Sequence, residues 1–442
     1  MTPSASPLFY TPAGTFIGWR DGAVVRASGI RYARAMRFQP PVDEAPAPEP
    51  VLATVPGPAC PQVVDALLSQ ALGPALTNLT YDEDCLRLTV TAPADAEPAA
   101  RLPVIVWIHG GSYVSGAGDL PFYDPARLVE EQRVVVVAVT YRLGLFGFLA
   151  RPEVPANLGL LDLLSALRWV QRNVGGFGGD APNVTLLGHS SGGDAAAHLI
   201  VAEGAAGLFR RVILHSAPLG LAPNRGRMTA AMARAVGAIP PAASHEEVLA
   251  REAQAWRAAR WQGLKSGMPF GTQYGAFPLP AEAAAEQAWR AAAPTVDVLI
   301  GATAEELRFF AVIDPKFRWL AGVPLLGPAL TRGLVAAASR RIYVAPAAAF
   351  ARRHARAGGR AYLFEVTFRP RGSVFGAAHT IDLPLLFGTR DTWAAVPLLG
   401  DAPWEEVEEA GREVRRLWAD FARHGALPAA AEVPGVLRVR RM

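Results

Sequence analysis

Residues 188–193 read Gly-His-Ser-Ser-Gly-Gly and follow the short apolar run Val184-Thr185-Leu186-Leu187. The string is Gly-x-Ser-x-Gly, set where a strand would end and a helix begin. Such a turn holds a serine hydroxyl clear of a sheet, and its glycines absorb the crowded backbone. Ser190 is therefore a candidate nucleophile, and the N–H of Ser191, at the expected helix start, points at the atom under attack. Upstream, the strand-length run Leu102-Pro103-Val104-Ile105-Val106-Trp107-Ile108 leads straight into His109-Gly110-Gly111-Ser112-Tyr113. Attack on a carbonyl needs donors aimed at the developing oxyanion, and the N–H groups of a glycine-rich loop can come close enough. Alone, that loop reads as an ordinary turn after a buried strand. Paired with the serine turn downstream, it reads as an oxyanion loop.

A serine nucleophile also needs a base, and the base an acid to orient it, in the chain order Ser, acid, His for this kind of strand-to-helix turn. Of the eight histidines, His354, His379 and His424 lie beyond residue 300. His354 and His424 each sit near an expected helix C-terminus ahead of glycine, where the dipole favours a cationic residue without any catalytic role. His379 lies in Gly376-Ala377-Ala378-His379-Thr380-Ile381-Asp382-Leu383-Pro384, a loop after the strand-like Ala361–Val366 run. Loops after strands are where an α/β protein carries its functional groups. For the acid, the buried-strand run Val298-Leu299-Ile300 leads to Glu305 and Glu306. Spacing leaves both open.

The elements that must position these groups alternate. Strand-like apolar runs are separated by helical stretches such as Leu161–Arg172 and Glu246–Arg260, the latter opened by a Ser244-x-x-Glu247 capping box. Alternation of this kind predicts an α/β fold with a mostly parallel sheet flanked by helices. Val134–Val139, apolar at every position, reads as a central parallel strand. At 442 residues and 51% hydrophobic, the chain can bury a large core. No linker or charge run divides it, so residues 1–442 are expected to form one domain. The proline-rich stretch from Pro40 to Pro58 reads as a surface excursion, and Ala281–Ala293 as helix. Residues 319–330 are apolar but interrupted by prolines and glycine, and too short to span a bilayer. A gorge wall or cap is the expected role.

The chain resembles the type B carboxylesterases, the family that includes cholinesterases and bacterial p-nitrobenzyl-type esterases. Ordered strings along nearly the whole length carry the resemblance: Gly29-Ile30-Arg31-Tyr32-Ala33, Glu83-Asp84-Cys85-Leu86, Trp107-Ile108-His109-Gly110-Gly111, Tyr141-Arg142-Leu143-Gly144, Asn157-Leu158-Gly159-Leu160-Leu161-Asp162, and Phe177 to Thr185 running into the serine turn. The resemblance implies an α/β-hydrolase fold with helical cap or gorge-wall insertions. It also implies a cofactor-independent ester hydrolase that passes through an acyl-enzyme. Its register selects Glu306 and His379 as partners of Ser190, and the N–H groups of Gly111, Ser112 and Ser191 as oxyanion donors. Gly110, His189 and Ser216 take supporting places. It further implies pairing of the acidic 82–84 segment with arginines such as Arg37, pairing of Asp162 with Arg142, and a Cys60–Cys85 disulfide in secreted relatives. Three departures matter. His189 stands where the family usually has glutamate, which puts a second buried carboxylate in doubt and argues against choline esters. Ser112 replaces a third loop glycine and narrows the approach. The interval between Glu306 and His379 is short.

Other classes find less support. Net charge is only +4, and no basic stripe with interleaved aromatics marks a nucleic-acid surface. Just two of the 43 basic residues, Lys265 and Lys316, are lysines, as expected of a high-GC genome. No ligand cluster has metal spacing. The first residues lack the features of a signal peptide, so a cytoplasmic monomer acting on a small ester, without stable membrane insertion, is expected. A binding protein on the same fold is disfavoured because serine, acid and histidine are all kept. Acyl transfer to an alcohol or amine would use the same residues as hydrolysis.

Overall fold

The run Leu102–Ile108 forms the strand that organises the sheet. Its side chains alternate between two buried layers: Val104, Val106 and Ile108 face one core, Ile105 and Trp107 the other. The structure, a computed structural model, describes residues 6–63, 71–72 and 79–442. Among them an eleven-stranded sheet runs, edge to edge, Ala430–Val433, Leu437–Arg441, Ala361–Val366, Asp297–Thr303, Arg211–His215, Gly179–His189, Leu102–Ile108, Val135–Val139, Arg87–Pro93, Val24–Arg31, Trp19–Asp21. The six strands from Ala361–Val366 to Val135–Val139 are parallel; both flanks are antiparallel. Val135–Val139 is buried at every position as expected, but it borders the parallel block rather than lying inside it, pairing antiparallel with Arg87–Pro93. Cover on both faces, not neighbour direction, is what made its sequence uniformly apolar.

Helices cover both faces. Leu158–Asn173 buries nearly its whole length, and Trp404–His424 packs its apolar stripe on the opposite layer. A fully buried leucine or valine contributes roughly 1.5–3 kcal/mol. The capping box forms as expected: Ser244 Oγ accepts from the Glu247 N–H, and the Glu247 carboxylate from the Ser244 N–H, opening the helix His245–Ala259. The Ala281–Ala293 stretch contains the helix Ala285–Ala292. Arg37 pairs with Glu83, Arg31 and Arg87 with Asp84, and Arg142 with the fully buried Asp162 at 2.7 Å.

One buried acid departs from this pairing. Glu252, on His245–Ala259, accepts the Leu145 N–H at 3.0 Å with no cation nearby. Burial pushes its carboxyl up to about 7, with that hydrogen bond partly opposing. Between its ordinary value of 4.5 and about 7, the unfolded chain ionises while the folded chain keeps the proton, so the native state loses stability as pH rises. The full effect is about 3 kcal/mol. In thermal melts, the Tm of Glu252→Gln should gain on the wild type from pH 5 to pH 8. A gap that stays flat with pH would mean that the native carboxyl is ionised throughout.

Candidate active site

The parallel block changes direction at Leu102–Ile108, whose chain neighbours lie on opposite sides of it: Val135–Val139 on one, Gly179–His189 on the other. Crevices form beyond the carboxyl ends of strands at such a point. The loop from His109 and the turn at Ser190 both open there. Ser190, between Gly179–His189 and the helix Ser191–Leu199, has φ 55° and ψ −124°. This is costly for a residue with a side chain, on the order of 1–3 kcal/mol. Its N–H is tied to the His215 carbonyl at 2.8 Å. The flanking glycines are required by space: a Cβ on Gly192 would sit 2.1 Å from the Ile108 carbonyl oxygen, and one on Gly188 2.4 Å from that of Gly192.

Glu306 and His379 arrive from the two strands beyond Arg211–His215. Glu306 follows Asp297–Thr303, and His379 lies in the loop after Ala361–Val366. The Ser190 hydroxyl is 3.0 Å from His379 Nε2, and His379 Nδ1 is 2.5 Å from Glu306 Oε2. A carboxylate can only accept, so Nδ1 carries the proton and Nε2 is free to accept from the serine. The other Glu306 oxygen accepts from Ser216 Oγ at 2.5 Å and from the Thr303 N–H at 2.7 Å, which fixes the carboxylate plane. Glu305 points elsewhere. Its oxygens meet Arg308 at 2.9 Å and the Ala377 N–H at 3.1 Å, so it clips the histidine loop from outside instead of extending into solvent. His354 is buried against the Val296 carbonyl, and His424 ends the helix Trp404–His424; neither approaches the site.

Across the crevice, Gly111 and Ser112 have φ 113° and 56°. A Cβ on Gly111 would lie 2.0 Å from the Ser115 carbonyl oxygen, and one on Gly110 2.8 Å from that of His189, so neither position admits a side chain. Ser112 tolerates the left-handed conformation and lines the pocket. The N–H groups of Gly111, Ser112 and Ser191 donate to no backbone acceptor among the described residues. Buried tyrosines brace the loop: Tyr141 donates to the His109 carbonyl at 2.8 Å and Tyr113 to Asp194 at 2.7 Å.

A second buried carboxylate is present after all, and residue 189 does not supply it. Asp382, three residues after His379, accepts from His215 Nδ1 at 2.5 Å and lies 3.6 Å from His189 Nε2. The Trp418 indole N–H donates to His215 Nε2. Burial alone would raise the Asp382 carboxyl, but the imidazoles of His189 and His215 outweigh it and hold the group well below the usual carboxylate range. Burial lowers His189, with Asp382 opposing, so residue 189 brings no negative charge to the pocket. The His189 ring stacks 4.8 Å from that of His379. Asp382, His215 and Trp418 escaped the sequence reading. The signal was the acid three positions after His379, which becomes informative only once residue 189 is known to face it.

A cavity of about 440 Å³ opens over Ser190 and His379, walled by apolar side chains including Phe122, Met268, Phe309, Phe310, Phe317 and Tyr343. Asp314 is the one acid among the described lining residues, and none is lysine or arginine. The walls come partly from Arg308–Ile313, Pro315–Ala321 and Gly327–Ser339, the helices between acid and base. Residues 319–330 themselves do not line the cavity: Trp319, Leu325 and Leu326 point into solvent. Cys60 and Cys85 are buried free thiols. Among the described residues no cluster of ligating side chains could hold a metal ion, and no helix is long and apolar enough to cross a membrane.

Comparison with known proteins places this geometry in a family. The carboxylesterase family model matches residues 6–319. A protein named "Probable N-octanoylanthranilate hydrolase" from Rhodococcus erythropolis is 37% identical over 423 residues, 94% of this chain and 92% of its own. The para-nitrobenzyl esterase of Bacillus subtilis is 31% identical over 94% of this chain and 89% of its own. Among solved structures, a thermophilic PNB esterase superposes with a TM-score of 0.79 at 27% identity, covering 99% of this chain and 98% of that one. A Geobacillus stearothermophilus carboxylesterase superposes with a TM-score of 0.75 at 27% identity, over 97% and 92%. The α/β-hydrolase fold is thus shared, and this chain belongs to the carboxylesterase family as a serine carboxylic ester hydrolase.

Proposed function

We propose that Ser190, His379 and Glu306 are the catalytic triad of a single-domain, monomeric hydrolase of small to medium carboxylic esters. The unbroken hydrogen-bonded line from Ser190 Oγ through His379 to Glu306 carries this reading. Ser190 attacks the ester carbonyl as His379 Nε2 takes its proton. Glu306 keeps the imidazole in the right tautomer and stabilises the imidazolium without itself taking the proton. The N–H groups of Gly111, Ser112 and Ser191 receive the oxyanion against apolar walls. His379 protonates the departing alcohol, then activates the water that cleaves the acyl-enzyme. The apolar lining, with neutral His189 beside the nucleophile, suits a neutral ester with an alkyl or aryl acyl group over a choline ester. The name of the Rhodococcus relative contains an octanoyl group, and a chain of that kind suits the same walls. The free Cys60 and Cys85 thiols suit a reducing cytosol.

A panel of p-nitrophenyl esters from acetate to palmitate should give its highest kcat/KM between butyrate and octanoate. An active-site phosphonate should stop turnover, and peptide mapping should find the label on Ser190. A label on any other serine would sink the assignment. Product analysis with added alcohol separates hydrolysis from acyl transfer.

A further inference from the structure

Six large apolar side chains exposed among the described residues, Trp319, Val323, Leu325, Leu326, Leu330 and Leu334, fall within sixteen positions between the proposed acid and base. Leu325 is 97% exposed, Trp319 74% and Leu326 73%. The helix Pro315–Ala321 buries no residue at all. The helix Gly327–Ser339 is turned inside out: Thr331 and Ser339 are buried, while Leu330 and Leu334 stand in solvent on one face. Yet these helices also give Phe317 and Ala338 to the pocket wall. Leu264 lines the same cavity and is 44% exposed, three residues after Trp261, which is 80% exposed with the Arg260 guanidinium over its ring.

Charge follows the same map. Residues 315–341 contain five lysines and arginines and no aspartate or glutamate, in a chain whose formal charge is only +4. Lys316, Arg318, Arg332, Arg340 and Arg341 are all exposed around the apolar face. An exposed apolar patch of this kind marks an interaction surface. Five exposed cations, with Asp314 already committed to capping the helix Pro315–Ala321, argue against a second copy of this chain, because two such faces would repel. Leucine and tryptophan projecting from short helices, ringed by lysine and arginine, match the chemistry of an anionic lipid surface.

We infer that the face formed by residues 315–341, with Trp261 and Leu264, docks on an anionic phospholipid bilayer. The protein lies on such a surface and does not span it, with the pocket mouth turned toward the headgroups. Docking stands independently of the chemistry in the pocket.

Sedimentation of the full chain with vesicles tests this. Partitioning should be about tenfold or more stronger for equimolar phosphatidylcholine and phosphatidylglycerol than for phosphatidylcholine alone, and should weaken with salt. The double variant Leu325→Glu, Leu326→Glu should lose that binding while its turnover of soluble p-nitrophenyl acetate stays at the wild-type rate, which also reports correct folding. Arg318→Glu with Arg332→Glu should erase the preference for the anionic vesicles. Failure of wild type to bind the mixed vesicles, equal binding to both compositions, or a dimer in size-exclusion chromatography that Leu325→Glu dissolves would each overturn the inference; the last would assign the face to a second copy.

Discussion

Ser190→Ala and His379→Ala should each lower kcat on the order of 10⁴-fold or more, and the double variant should be scarcely worse than either alone. The reason is geometric. The hydroxyl and Nε2 are 3.0 Å apart, close enough to act as one proton-transfer unit. Without the imidazole the serine keeps its proton at neutral pH, and without the serine the imidazole has no nucleophile to activate. Residual turnover should persist through the donors at Gly111, Ser112 and Ser191, which act on any oxyanion formed there. Steady-state kinetics on p-nitrophenyl butyrate for both single variants and the double would measure this. Additive losses, multiplying to far more than either single variant, would mean that the two residues act in separate steps. Ser190→Ala retaining most of its activity would remove Ser190 from the chemistry.

Much of this arrangement is legible in the sequence, for a physical reason. The turn at Ser190 and the loop at Gly110–Gly111 leave so little space that glycines are forced, and forced glycines at fixed offsets are visible in a sequence. The strands betrayed themselves too, since burial on both faces leaves uniformly apolar runs such as Val135–Val139. Three features were not readable, each because it depends on what stands opposite in space. Strand direction at the edge of the parallel block is one, since an antiparallel neighbour leaves no mark on a strand covered on both faces. The Asp382–His215–Trp418 chain is another. It joins residues from three separate segments, and its significance appears only when His189 is found against it. The third is residues 319–330. Their composition is that of a buried wall, yet the helix Gly327–Ser339 packs with Thr331 and Ser339 inward and leaves Leu330 and Leu334 outside. Hydrophobicity without an orientation could not separate the two.

The choice of acid is the sharper test. Glu306→Gln should cost several orders of magnitude in kcat with the fold intact. The amide can still occupy the same space, but it cannot hold Nδ1–H as an ionised acceptor or stabilise the imidazolium in the transition state. The structure separates it clearly from its neighbour. Glu306 is fully buried with both oxygens committed, one to His379 and the other to Ser216 and Thr303. Glu305 is half-buried and holds Arg308, Arg369 and the Ala377 N–H, none of which lines the cavity. Exposed ion pairs of that kind are worth little, and the glutamine oxygen still accepts from Ala377. Glu305→Gln should therefore cost less than about tenfold, roughly 1.4 kcal/mol in barrier height. Kinetics on the two purified variants, with circular dichroism to confirm folding, decides between them. If Glu305→Gln proved the crippling change, the histidine loop would owe its position to the outer clip, and the buried carboxylate would be a structural partner of Ser216 rather than the acid of the triad.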